Sequence, residues 1–313
     1  MNDRPATLII GCGYLGRTFA QRLLDRPDAG PVWATTRSED KARELFDLGL
    51  RPMLLHVTQP LTYAALQPAL DHPGTLDVAY LVPPGRPGGH PNPRQTVVGG
   101  AAHTLKHLRH APRLRRAILA SSSAVYGHQP SPPNPPLTAE SPTQPTNPRA
   151  RLLLDGETLW LHANATHDAA FRVLRLAGLY GPGRVIGQRA VAEGHPLAGD
   201  PAAPLNLIHV NDAADALLAM LNPARRPAPI ELAADGHPIA RHAYYTALAR
   251  HLGVAPPKHL DADAAVQLGI DTARLKAAAS KALDPTTTRD RLGWQPQHHS
   301  VLKALPALIQ STP

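Results

Sequence analysis

Residues 7–16 read Thr7-Leu8-Ile9-Ile10-Gly11-Cys12-Gly13-Tyr14-Leu15-Gly16. The first four are a short apolar, β-branched run that predicts a buried strand. The next six fit G-x-G-x-x-G and run into a helical stretch from Leu15 to Leu24. Each glycine has its own task in such a strand–turn–helix. Gly11 permits the tight turn, Gly13 lets the backbone approach a diphosphate, and Gly16 lets helix and strand pack closely. The helix start adds free N–H groups and a partial positive charge. The segment predicts a dinucleotide cradle and, with it, a doubly wound parallel sheet.

Working outward, the chain repeats the same rhythm. Val32–Thr36, Met53–Val57, Asp77–Val82, Ala117–Ala120 and Phe171–Leu176 read as further strands, separated by helical patterns such as Glu39 to Leu48. Strands alternating with helices imply βαβ units and an α/β fold. Asn206–Val210 and Ile230–Leu232 read as later strands, with Asn211 capping a helix that runs to about Leu221. The expected division is a Rossmann core over 1–176, to which 205–236 returns. A smaller C-terminal substrate lobe takes 177–204 and 237–313.

From Pro130 to Pro148 the rhythm breaks, with eight prolines in 19 residues. Such a stretch excludes a helix or a central strand. It follows the fifth strand at the carboxyl edge, where doubly wound sheets place their ligands. It reads either as a stiff surface connection or as an active-site lid.

Composition narrows the classes. The 313 residues are 43 % hydrophobic and 18 % charged, enough for a packed core. Cys12 is the single cysteine, so no intrachain disulfide forms. No apolar run approaches the ~18 residues of a spanning helix, and the start has no signal-peptide pattern, so a cytoplasmic protein without a membrane partner is expected. The net charge is +8, and one basic cluster stands out: Lys106, His107, Arg109, His110, Arg113, Arg115 and Arg116. No aromatic residue lies among them, which removes the stacking half of a single-strand site and counts against a nucleic-acid partner. No Cys/His or His/carboxylate spacing suggests a metal centre.

The cofactor surface is expected from Gly11, Cys12, Gly13, Tyr14, Leu15 and Gly16, with Thr36, Arg37, Ser38 and Val82 at neighbouring strand ends. An NAD site usually has Asp or Glu after the second strand for the ribose 2′-hydroxyl. This chain has Thr35-Thr36-Arg37-Ser38. Arg37 can pair with a 2′-phosphate, so the sequence favours NADP over NAD.

The assembly resembles the short-chain dehydrogenase/reductase superfamily, on its extended epimerase/dehydratase side. The likeness rests on GCGYLG at 11–16, ASSSAVYG at 120–127, LRLAGLYGPGR at 174–184, NLIHVNDAADA at 206–216 and RDRLGWQP at 289–296. The resemblance implies a Ser or Thr that polarises a substrate carbonyl, matched by Ser122. It also implies a Tyr–Lys pair, as Y-x-x-x-K on the next helix. Counting back from Glu157, those positions hold Arg149 and Leu153. No tyrosine lies between Tyr126 and Tyr180, and no lysine between Lys106 and Lys258. The likeness is best to the atypical group that includes the YeeZ-like proteins, which keep the cofactor fold without that pair. His209, Asn211 and Asp212 match a stretch that joins core to lobe, a structural role.

Arginine stays protonated and cannot replace a phenol that shuttles a proton. Tyr126 and His128, with Ser122, are the catalytic candidates that remain. Arg149, Arg151, Tyr180 and Arg184 are candidates for substrate contact, the guanidinium groups suiting an anion. The expectation is an NADP-dependent oxidoreductase or epimerase for a small polar or anionic substrate, with a non-standard acid/base. The alternative is a non-catalytic NADP-binding redox sensor or regulatory protein. Dimerisation is common among relatives, so the resemblance admits a homodimer.

Overall fold

The structure is a computed structural model that describes residues 4–85, 92–127, 135–260, 264, 267 and 281–310. Its centre is a seven-stranded parallel sheet: β1 (Ala6–Ile10), β2 (Val32–Thr36), β3 (Arg51–Leu54), β4 (Leu76–Tyr80), β5 (Leu114–Ser122), β6 (Ala170–Leu176) and, from further along the chain, β11 (Ile230–Ala233). The order across the sheet is β11-β6-β5-β4-β1-β2-β3. The order reverses between β1 and β4, which opens a crevice above their carboxyl ends.

Every strand of the middle is buried on both faces, as a parallel sheet covered by helices requires. The period of two separates the faces cleanly. Leu8 and Ile10 of β1, Val78 and Tyr80 of β4, and Ala117 and Leu119 of β5 pack in one core with Tyr63, Trp160 and Phe171. Ile9, Ala79 and Ile118 point the other way, into a core with Phe19, Leu23 and Leu217. The helices that supply these layers are α1 (Tyr14–Leu24), α2 (Glu39–Asp47), α3 (Gln67–Leu70), α4 (Gly100–Leu108), α5 (Pro148–His162), α6 (Gln188–Ala192) and α7 (Val210–Leu221).

Outside the main sheet, β7 (Gly178–Tyr180) pairs in parallel with β10 (Leu207–His209). Two further pairs are small: β8 (Leu197–Ala198) with β13 (His259–Leu260), and β9 (Pro204–Leu205) with β12 (Ile239–Ala240). With α8 (Arg241–Leu252), α9 (Thr286–Leu292) and α10 (Val301–Gln310), these elements surround a separate core of Tyr180, Val191, Tyr244, Leu248 and Leu305. Among the described residues no helix is long and apolar enough to cross a membrane.

Two local expectations change. Helix α7 is capped by His209, whose Nδ1 accepts from the Asn211 N–H at 3.2 Å, rather than by Asn211 itself. Pro148 belongs to α5, not to the loop. Asn147 caps that helix by accepting from the Ala150 N–H at 2.9 Å, and Pro148 fills its first turn, where a missing N–H costs nothing. The described part of the proline-rich stretch is fastened on both sides. Leu137 exchanges backbone bonds of 2.8 Å with Ala282 and Asp284, Gln144 N–H donates to Val125 O at 3.1 Å, and Glu140 accepts from Arg291 at 2.9 Å. It is a strap between core and C-terminal region.

Candidate active site

The turn after β1 has the conformation its glycines predict. Gly11 adopts φ +89°, and a Cβ there would stand 2.9 Å from Val82. A Cβ on Gly16 would stand 3.0 Å from the Gly11 carbonyl. Gly13 differs, since nothing lies within 4 Å of the space its side chain would fill. Helix α1 then starts with no side-chain cap and no acidic residue in its first turn. Its first N–H groups therefore remain available to an anion. A cradle open at Gly13 and closed at Gly11 and Gly16 fits a diphosphate.

The cradle is one wall of a cleft of about 310 Å³. Gly11, Gly13, Tyr14, Leu15 and Gly16 form one side; Val82, with Leu81, Pro83 and Pro84, follows β4. Ser121 and Ser122 close the end of β5. Arg149 and Leu153 enter from α5, and Gly178, Leu179 and Arg184 from beyond β6. Arg149, Leu153 and Glu157 are spaced by four and so share a face of α5. The positions where relatives implied by the resemblance carry Tyr and Lys thus do face the cleft, with a guanidinium and an isobutyl group in place of a phenol and an ammonium.

Ser122 Oγ accepts from the Ala124 N–H at 3.2 Å. That bond fixes the oxygen and leaves the hydroxyl proton free to donate. Arg149 is exposed and has no ion pair among the described residues, and partial desolvation holds its pKa below the usual value. Arg184 lies over the Tyr14 ring at 5.6 Å, a cation–π distance. Burial raises the Tyr14 phenol, with Arg184 opposing.

Other candidates lie elsewhere. Tyr126 is 2 % exposed and packs in the core, with the Arg175 guanidinium 4.8 Å over its ring. Arg175 is itself buried and paired with Glu157 of α5 at 2.7 Å. Tyr180 is fully buried, its ring edge-on to His209 at 5.2 Å. Burial, then Asp235 and Asp212, raise its phenol well above the usual range. Arg151 is exposed and does not line the cleft. His128 lies outside the described residues. Cys12 is buried beside the turn, and burial pushes its thiol up to about 11, against a weaker pull from Arg17. It is therefore an unreactive thiol at neutral pH.

His209 packs against distant stretches of the chain, edge-on to Tyr180 and face to face with His298. It stacks on His298 at 3.7 Å, and His298 Nδ1 lies 3.1 Å from Asp212. Asp212 also accepts from the Gln297 and His298 N–H groups at 2.9 and 3.0 Å. Burial and the neighbouring His298 push the His209 imidazole down to about 4. Sequence reading missed Ser121, whose Oγ is buried and, among the described residues, without a partner. The Ser121-Ser122-Ser123 triplet was the available signal, but it does not show which hydroxyl is left unbonded.

The sequence profile of the NAD dependent epimerase/dehydratase family matches residues 7–233. The chain belongs to that family. Membership brings its general character, a nicotinamide-dinucleotide-binding protein of the oxidoreductase and epimerase type. The chain is 27 % identical to Protein YeeZ of Escherichia coli K12 over 295 residues, covering 93 % of this chain and 95 % of YeeZ. It is 30 % identical to the 3-diazoavenalumate denitrifying reductase of a Streptomyces species over 213 residues, 64 % and 67 % of the two chains. The UDP-glucose 4-epimerase of Thermus thermophilus, a complex with NAD, superposes with a TM-score of 0.77 at 17 % identity over 98 % of both chains. The NAD complex of dTDP-glucose 4,6-dehydratase from Bacillus anthracis gives 0.76 at 15 %, covering 98 % of this chain and 96 % of that one.

These NAD complexes overturn the expectation of NADP. The local structure gives a physical reason. Arg37 is exposed and, like Thr36 and Ser38, does not line the cleft. Ser38 Oγ accepts from the Lys41 N–H at 3.3 Å as the cap of α2. Glu39 and Asp40 place two carboxylates in the first turn of that helix, where they oppose a 2′-phosphate.

Proposed function

We propose that the protein is an NAD-dependent oxidoreductase of the epimerase/dehydratase type for a small anionic substrate, in the atypical group without the Tyr–Lys pair. One observation carries this reading. The glycine cradle, Ser122 and Arg149 share a single cleft, and within it Arg149 and Arg184 are the only charged side chains among the described residues. When bound, the dinucleotide supplies or takes up a hydride. The chain does the rest. Backbone amides at 11–16 hold the diphosphate, Arg184 adds charge beside Tyr14, and Ser122 donates to a substrate oxygen. Leu153, 8 % exposed, gives an apolar wall that keeps water from the reacting end. The Streptomyces relative, named as a reductase, supports reduction over epimerisation.

A second reading, a non-catalytic NAD-binding sensor, draws on the same Arg149 and Leu153. Titration calorimetry and a carbonyl-substrate panel separate the two. The enzyme reading expects NAD to bind more tightly than NADP and NADH to be consumed with some carbonyl acid, more slowly in Ser122→Ala. Binding without turnover across the panel favours the sensor, and no heat with either dinucleotide refutes both.

A further inference from the structure

The polar side chains at the end of β5 have one property in common. Ser121 Oγ is buried, has no partner among the described residues and offers the cleft no acceptor. Ser122 Oγ already accepts from Ala124 N–H, so it faces the cleft as a donor. Arg149 offers guanidinium N–H groups and, among the described residues, has no carboxylate to take them. Of the residues lining the cleft, none is Asp, Glu, His or Lys among those described. The wall donates hydrogen bonds and has no carboxylate or imidazole to accept one. Exposed guanidinium N–H groups and a free hydroxyl proton facing one cleft, with no carboxylate beside them among the described residues, favour a ligand that brings acceptor oxygens.

Among the described lining residues few protons can leave: the Tyr14 phenol is the one candidate, and burial raises its pKa. Arginine keeps its proton at any working pH, and serine is a far weaker acid than a catalytic phenol. Reduction of a simple ketone gives an alkoxide, which requires a proton donor as it forms. Reduction of a conjugated carbonyl does not. A hydride added at the β-carbon breaks the C=C π bond, whose pair forms a new bond between the α-carbon and the carbonyl carbon, while the C=O π pair moves onto oxygen, giving a delocalised enolate or, from a quinoid ring, a phenolate. The anion is held by fixed donors, as in an oxyanion hole. Water then protonates the α-carbon, or the oxygen of the quinoid product. The reductant is the reduced nicotinamide dinucleotide, oxidised by two electrons in the same step.

We propose that Arg149, with the Ser122 hydroxyl, forms an oxyanion site, and that the substrate is a conjugated carbonyl compound reduced to an enolate or phenolate. This rests on the NAD-dependent reading above and specifies its substrate class. In it Arg149 is a catalytic residue that stabilises charge, in the place where relatives implied by the resemblance hold a proton donor.

The test needs no turnover. 4-Nitrophenol, whose phenolate absorbs visible light, is titrated with protein saturated in NAD, and the absorbance is followed against pH. The expected result is a bound phenol that ionises about one pH unit below the free compound, which is a tenfold preference for the phenolate. Arg149→Met should abolish the shift and Arg149→Lys should keep part of it, because a point charge remains without the guanidinium geometry. Arg151→Met, an exposed position two residues along the same helix, should leave it unchanged. Circular dichroism and NAD calorimetry on each variant verify that fold and cofactor site persist. NAD binding with no shift, or a shift that survives Arg149→Met, overturns the oxyanion site alone. A shift lost in His128→Gln but kept in Arg149→Met overturns it too, and moves the charge to His128. Absence of NAD binding instead refutes the underlying functional reading.

Discussion

Breaking the pair between Arg175 and Glu157 should unfold the protein well before most other single changes. Arg175 sits on β6, level with Ser121 of β5, and Glu157 reaches it from α5. Three contacts join them, at 3.2, 3.1 and 2.7 Å. The side chains are 4 % and 2 % exposed. Water cannot replace a partner there, so Glu157→Ala leaves a cation buried without compensation. Loss of one partner of a buried pair costs ~3–5 kcal/mol. A chain of this length gains entropy on unfolding of about 0.7 kcal/mol per degree, so Tm should fall by ~5–8 °C. The same figure should appear as a lower midpoint in urea at an unchanged slope. The double variant Glu157→Met/Arg175→Met removes both charges and should recover most of the loss, since apolar groups of similar size pack at little cost. A Glu157→Ala loss below ~1 kcal/mol would put the pair in the range of exposed ones and refute the burial argument. A double variant as unstable as Glu157→Ala would show that packing, not charge, sets the cost.

Other outcomes follow from the same geometry. Burial, and behind it the neighbouring Asp212, raises the Asp235 carboxyl from 3.8 to about 7. The folded state then binds more protons than the unfolded one between those values, so this group's contribution is present below pH 3.8 and is lost as pH rises through 7. Asp235→Asn, which keeps the acceptor for the His237 N–H, should flatten that fall in a series of urea titrations. Lack of any difference from about pH 4 to 8 would refute the shift. His209 has the opposite sign. Its depressed pKa makes acid destabilising from about pH 6.5 down to 4, and His209→Gln should reduce the acid-side loss measured by thermal melts. Gly11→Ala forces a left-handed residue against Val82 and should weaken NAD binding by tenfold or more in calorimetry. Gly13→Ala, whose methyl group fills only the cradle, should do the same without lowering Tm. Cys12, with a thiol raised to about 11, should resist alkylation at neutral pH until the protein is unfolded.

Much of the fold was legible in the sequence because its signals are local. An apolar run followed by G-x-G-x-x-G needs only the chain itself to form strand, turn and helix. The strands from Val32 to Leu176 were recognisable for the same reason, since a strand buried on both faces reads as continuous apolar residues. That Arg149 and Leu153 share one helix face was legible too, from their spacing of four. Cofactor choice was misread at Arg37, because one charge in a loop says nothing of where its side chain goes or of Glu39 and Asp40 beside it.

The sequence alone determined the strand, glycine turn and helix over 6–24 and that the helix at 148–162 carries neither tyrosine nor lysine. Tertiary structure alone decided which polar groups meet. It buried Tyr126 and Tyr180 away from the cleft, joined Glu157 to Arg175, and stacked His209 on His298 across 89 residues of chain. Local propensity acts over a few residues, whereas hydrogen bonding and desolvation depend on what packs nearby, and the chain brings those groups together only when it folds.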